Sequence, residues 1–293
     1  MKAFSRLHPV TLLTYFIVIL LLSMFIRNPV TVVLSLFGGA AFCSTLTNKS
    51  EKISDIKFYI PLTVLIALTN PLISHNGKTP LFFVNGNPFT LESIYYGIYI
   101  GIMVIAVLLW SKSYSKIVTS DKFLYLFGKI VPKTALILSV ALRYVPMMKT
   151  QAKKIRDAQK TLGLYSKGSF TDNVISSVKV YSALIGWSLE NAVETGKNMK
   201  ARGWGHGKRT SFSSFKFRLP DAALICMFVL FSVLILFTLH KGYLDFSFYP
   251  DLTPLPVNAV SVSAYICFFL LAFLPFFIES EENIRWNFLR SRV

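Results

Sequence analysis

MMKTQAKKIRDAQKTLG (residues 147–163) and VISSVKVYSALIGWSLENAVETGKNMKARG (174–203) decide how this chain is organised. Each is a long helical pattern that ends in glycine. Apolar or small residues recur at steps of three and four. They are Met148, Ala152, Ile155, Ala158 and Leu162 in the first pattern, and Val174, Val178, Tyr181, Ile185, Ser188, Ala192 and Met199 in the second. That spacing gathers them on one face of a helix, whereas a strand alternates every second residue. Lys, Arg, Asp and Glu crowd the remaining surface. The sequence on both sides is apolar.

Working outward, six uncharged apolar runs appear, at residues 10–26, 30–46, 58–73, 94–110, 222–239 and 259–278. About 20 residues of helix, or a little fewer, cross the ~30 Å apolar core of a bilayer. The first run follows Lys2 and Arg6, as a secretory signal would. No small-x-small cleavage site follows it and a second run begins at once, so it reads as a retained span. Gly38, Gly39, Ala40 and Ala41 give the second run a small face for close helix approach. After the third run comes a polar loop, SHNGKTPLFFVNGNPF, with turn signals at Asn76-Gly77 and Asn85-Gly86.

Composition agrees. Of 293 residues 53% are hydrophobic and only 15% charged, where a soluble domain carries nearer ~25% charged. The net charge of +17 raises nucleic acid as a partner, but the placement of the charge argues against it. Of 31 Lys and Arg, 20 lie in residues 111–219, beside only 5 Asp and Glu. Six spans with both termini inside leave just Arg27, Lys78 and Lys241 outside, the asymmetry of the positive-inside rule. The expected fold is therefore all-α: a polytopic membrane protein of about six transmembrane helices with a cytoplasmic pair of long helices. Its parts are an N-terminal membrane part (1–110), a basic cytoplasmic domain (111–219) and a C-terminal membrane part with a basic tail (220–293). The segment 135–145 is apolar but short and contains Arg143, so it reads as an interfacial or buried cytoplasmic helix.

Cys43, Cys226 and Cys267 sit in apolar runs without metal-ligand or redox spacing, and the four histidines are scattered, so no metal site is expected. The stretch GWGHGKRT (203–210) superficially suggests a phosphate-binding loop. It lacks the glycine five positions before Gly-Lys, where Arg202 stands, and Arg209 replaces the hydroxyl residue. No ATP site, catalytic residue or cofactor is expected in this chain. A lipid-modifying enzyme would need paired carboxylates to hold a metal and a diphosphate, and Asp121, Asp157, Asp172, Glu190 and Glu194 form no such cluster.

Several short matches, in order, run through most of the chain. They are Asn70-Pro71-Leu72, then His75-Asn76-Gly77 and Leu81-Phe82; Leu142-Arg143-Tyr144-Val145-Pro146; Ala158-Gln159 with Gly163; and Ser188-Leu189, Glu194 and Met199 to Gly203. Together these resemble the transmembrane T component of energy-coupling factor transporters, a family that also contains the Q subunits of cobalt and nickel transporters. The resemblance implies two coupling helices, each ending in Ala-Arg-Gly, whose arginines dock in grooves on two cytoplasmic ABC-type ATPase subunits. Here the second copy is complete at Ala201, Arg202 and Gly203. The first departs, with Thr161, Leu162 and Gly163 in its place. Asymmetric docking is the expectation, with Arg156 or Lys160 as alternative sources of the first charge. Small residues at Ala183, Gly186, Ala192 and Gly196 are either incidental or mark the coupling-helix interface, and the crossed helix pair of the family favours the interface.

The resemblance also implies a non-catalytic subunit of the cell membrane, serving uptake of a vitamin or other micronutrient. ATP and Mg would be bound by the partner ATPases, and substrate by a small membrane S component. A cobalt- or nickel-type Q subunit is the nearest alternative. A conventional permease half would differ in binding substrate without a separate subunit.

Overall fold

The computed structural model describes residues 4–74, 77–84, 87–128, 130–163, 170–205 and 215–290. Nine α-helices and one small hairpin are found among them: α1 (Pro9–Phe25), α2 (Pro29–Leu46), α3 (Lys49–Ile73), β1 (Pro80–Val84), β2 (Asn87–Thr90), α4 (Leu91–Ile117), α5 (Ser120–Gly128), α6 (Pro132–Thr161), α7 (Phe170–Ala201), α8 (Leu219–His240) and α9 (Ala259–Arg290). They form two units, one of residues 1–123 and 215–293, the other of residues 124–214.

Local sequence explains where the helices of the first unit begin. Proline opens α1 and α2, where its missing N–H costs nothing, and the residue before it caps the helix. His8 accepts from the Val10 N–H at 3.3 Å, and Asn28 from the Val30 N–H at 3.0 Å. At α8, Asp221 accepts from the Arg218 N–H at 3.1 Å, closing the first turn. Five helices, α2, α3, α4, α8 and α9, are long and apolar enough to cross a membrane. The sixth expected span is α1, a shorter apolar helix of 17 residues. At ~1.5 Å per residue it reaches roughly 25 Å, near the lower end of what crosses the apolar core.

Within this unit α1 fills the centre. Leu12, Tyr15, Phe16 and Ile19 are all but inaccessible. Around them sit Phe4, Phe42, Trp110, Phe228 and Phe268, with Tyr15 and Trp110 edge to face at 5.9 Å between ring centres. Buried aromatic polar atoms need partners, and each finds one: the Tyr15 hydroxyl donates to the Leu271 carbonyl at 3.2 Å, and the Trp110 indole N–H to the Ser35 hydroxyl at 3.1 Å. The small face of α2 meets its expected use. A Cβ on Gly38 would lie 2.9 Å from the Ala272 Cβ of α9. By contrast α3 buries only Pro71 and rides on the outside against α4.

Two expectations change. The loop read between the third and fourth spans contains β1 and β2, paired antiparallel with Phe83 opposite Pro88; His75, Asn76, Asn85 and Gly86 lie outside the described residues. A run of Leu and Phe bounded by turn residues carries a strand as readily as a loop, which is why polarity alone misjudged it. The segment 135–145 is no separate helix. It is the first part of α6, which continues through Pro146, and α6 buries none of its residues within the chain.

Candidate functional site

The second unit is built on α6 and α7, which pack together. On α7, Ser176 and Val180 are buried, and Leu184, Trp187, Asn191, Thr195 and Met199 are half-buried. Their spacing of three and four places them on one face. Tyr144 of α6 meets that face: its hydroxyl lies 2.7 Å from the Thr195 hydroxyl and donates to the Asn191 carbonyl at 3.3 Å. Only residues 162–169 join the end of α6 to the start of α7, so the two helices run in opposite senses away from this contact. Leu162 lies 18 residues beyond Tyr144, roughly 27 Å along α6, while Arg202 lies 7 residues beyond Thr195, roughly 10 Å the other way along α7. The two motif positions therefore occupy opposite ends of the pair.

Each end is closed by a glycine at positive φ. Arg202 is the last residue of its turn, and Gly203 follows at φ +81. The Gly203 N–H donates to the Lys200 carbonyl at 2.9 Å and the Trp204 N–H to the Met199 carbonyl at 3.0 Å. This pair of bonds is the Schellman arrangement, which needs a left-handed residue after the cap. At the other end Leu162 occupies the equivalent place, Gly163 follows at φ +83, and its N–H donates to the Lys160 carbonyl at 3.0 Å. Residue 164, which would complete the motif, lies outside the described residues. Both ends project: Leu162 is 81% exposed, Arg202 is exposed, and a Cβ on Gly163 or Gly203 would meet nothing within 4 Å. The Arg202 side chain makes no hydrogen bond or ion pair among the described residues. Thr161 and Ala201 close the two helices, with the Thr161 hydroxyl turned back onto the Ala158 carbonyl at 2.7 Å. Arg156 and Lys160 are also exposed, about one and two-thirds turns and about half a turn before Leu162.

The small residues of α7 are placed differently from the motif. Ala183, Gly186, Ala192 and Gly196 are all exposed, and a Cβ on Gly186 or Gly196 would meet nothing within 4 Å. No close crossing occurs at these glycines; the face turned to α6 is the one carrying Asn191 and Thr195. Ala192 and Gly196 instead extend an open apolar stripe formed by Val174, Val178, Tyr181, Ile185 and Leu189. Sequence periodicity found much of that stripe, though Ser188 and Met199, which it included, are half-buried, and it missed the Tyr144 contact, whose signal was a phenol opposite two polar residues four apart. Residues 206–210 of the GWGHGKRT stretch lie outside the described residues.

Comparison with known proteins adds to this geometry. The family described as cobalt transport protein, CbiQ, matches residues 2–212. The chain is similar to the energy-coupling factor transporter transmembrane protein EcfT of Staphylococcus aureus, 29% identical over 161 residues, which is 52% of this chain and 60% of that protein. With EcfT 1 of Listeria monocytogenes it shares 26% identity over 191 residues, 60% of this chain and 71% of that protein. It is 31% identical over 110 residues to an uncharacterized protein of Mycoplasma pneumoniae, the MG181 homolog, 37% of this chain and 25% of that protein. The chain thus spans between a quarter and three fifths of the length of the first relatives it matches.

Proposed function

The chain belongs to the cobalt transport protein family of membrane transporter components, and from that premise we propose that it is the coupling subunit of an energy-coupling factor importer. In this reading α6 and α7 transmit the closure of two cytoplasmic ABC-type ATPases to a substrate-binding membrane subunit, which holds the vitamin or other micronutrient. ATP and Mg are bound by the ATPases, and this chain is not itself an enzyme. The observation that carries the reading is the repeated helix end: two projecting termini, each closed by a glycine at positive φ, at opposite ends of one stiff pair and suited to two partners.

The ends differ in chemistry. Arg202 offers a planar cation that grips a carboxylate or helix-end carbonyls in a fixed direction, and it sits where the negative end of the α7 dipole favours a cation. Leu162 offers an apolar knob, so one ATPase is held by charge and the other by burial of a leucine. The open stripe on α7 is then the surface presented to the hydrophobic partner. Removing one member of a buried charge contact costs about 2–5 kcal/mol, which suffices to release a docked subunit.

Purification of the complex in mild detergent tests this. Arg202→Glu should lose one ATPase while the chain still inserts in the membrane; Leu162→Asp should weaken the other site. Unchanged ATP-driven uptake in Arg202→Glu would rule the assignment out. Uptake assays with vitamins and with cobalt or nickel separate the importer reading from a metal-dedicated Q subunit.

A further inference from the structure

The helices of the first unit run between two ends. At one, the His8 N–H donates to Asp221; at the other, the Asn28 amide donates to the Leu244 carbonyl at 3.1 Å. This second end holds a cavity of about 750 Å³, between the end of α1, the first half of α4 and the chain that follows α8. Rings crowd it. Phe248 packs against Tyr99 and Phe246, each at 4.8 Å between centres, and against Tyr96 at 5.3 Å, while Tyr249 covers Tyr96 at 5.4 Å. Met24, Phe25, Met103 and Leu239 supply an apolar flank.

Just two charged residues line the cavity, Arg27 and Asp245. Neither side chain makes an ion pair or hydrogen bond among the described residues. A cation and an anion that share a cavity without neutralising each other are arranged for a ligand carrying both opposite charges. Both are exposed and hydrated; a ligand that fills the cavity displaces that water and must then supply each charge with a partner. The cavity also lies where spans end, at the depth where aromatic residues meet lipid headgroups.

We propose that this cavity binds a zwitterionic phospholipid. The phosphate lies against the Arg27 guanidinium, whose planar fork suits phosphate oxygens. The ammonium group lies against Asp245 and the faces of the neighbouring rings, which attract cations. One acyl chain follows Met24, Phe25, Met103 and Leu239. A free phosphate leaves Asp245 and the apolar flank unused, and phosphatidylglycerol, whose headgroup ends in a neutral glycerol, offers Asp245 no cation. The inference rests on membrane placement alone and is independent of the ATPase docking described above.

Photo-crosslinking in nanodiscs tests it. The full chain is placed in phosphatidylglycerol discs carrying a trace of diazirine-labelled phosphatidylethanolamine or, separately, of phosphatidylglycerol with the same labelled chain, and labelled peptides are mapped. Phosphatidylethanolamine should mark the peptides holding Phe25, Met103 and Leu239. Arg27→Gln and Asp245→Asn should each reduce that marking about tenfold, the effect of losing one charge-assisted hydrogen bond. Marking of Leu65 and Leu68 on the exposed face of α3 should stay constant, which also reports that the variants are folded and inserted. Equal marking by the two lipids, unchanged marking in either variant, or cavity marking no stronger than that of α3 would overturn the proposal.

Discussion

Gly203 holds φ +81, a conformation that costs a residue with a Cβ roughly 1–2 kcal/mol. Gly203→Ala should therefore fray the last turn of α7 and blur the aim of Arg202, lowering retention of one ATPase while overall thermal stability barely moves. Gly38 makes the opposite demand, for space. Its missing Cβ lets α9 approach so that Ala272 backbone atoms lie within 3.0–3.2 Å of where a Cβ would stand. Gly38→Val should cost about 1–3 kcal/mol through overpacking, seen as a lower melting temperature in detergent. Lys122 poses an electrostatic question. It is buried and donates to the Ser5 and Ile117 carbonyls at 2.6 and 3.0 Å. Burial pushes its ammonium below the ordinary lysine value of about 10.4. Between the lowered value and the ordinary one the unfolded chain binds more protons, so folding stability rises with pH across that window. Lys122→Met removes this dependence. The stability of wild type relative to the variant should climb as pH rises through the window and stay flat below it; a difference flat up to pH about 11 would show that the ammonium is not penalised.

At the scale of elements, α6 and α7 show both the reach of sequence reading and its boundary. Both patterns were legible because charged residues leave a 3.6-residue stripe behind them, and the two terminal glycines marked the ends to within two residues. What the stripe faces was not legible. Periodicity reports that a surface avoids water, without saying whether this chain or another covers it, and Val178, Tyr181 and Ile185 prove to be open. The contact between the helices is carried partly by polar residues, which periodicity discounts. The start of α6 was missed for a related reason: Pro146 disfavours a helix interior by about 3 kcal/mol, so the pattern was begun after it. Tyr144→Phe probes the polar contact directly. It deprives the Asn191 carbonyl and Thr195 hydroxyl of their partner, a loss of about 0.5–1.5 kcal/mol. Hydrogen exchange should quicken in α7 around residues 187–199 with the membrane helices unaffected. Exchange unchanged in α7 would mean that apolar packing alone holds the pair.

Across the whole molecule, the ties at one end of the first unit bear on how a push from the inserted unit, residues 124–214, would reach the membrane helices. The chain leaves this unit just after Lys122 and re-enters it before Asp221. Both residues are bound to the same short segment, Phe4 to Thr11: Lys122 donates to Ser5, and Asp221 accepts from the His8 N–H at 2.9 Å and the Thr11 hydroxyl at 3.4 Å. That segment is tied in turn to α9, where Glu279 accepts from the Phe4 N–H at 3.2 Å and Glu282 pairs with Arg6 at 3.0 Å. Departure and return are thus pinned to one anchor, so displacement of either strand of the insertion strains the aromatic core around Phe4 and Tyr15. Asp221→Ala leaves three donors without their acceptor, and an unmet buried donor costs about 1–3 kcal/mol. The chain should melt earlier, and on the coupling reading ATP hydrolysis by the assembled complex should persist while uptake falls. Asp221→Asn keeps an acceptor oxygen and should recover much of both properties. If Asp221→Ala lowered stability yet left uptake per hydrolysed ATP untouched, the anchor would hold the fold together without transmitting force.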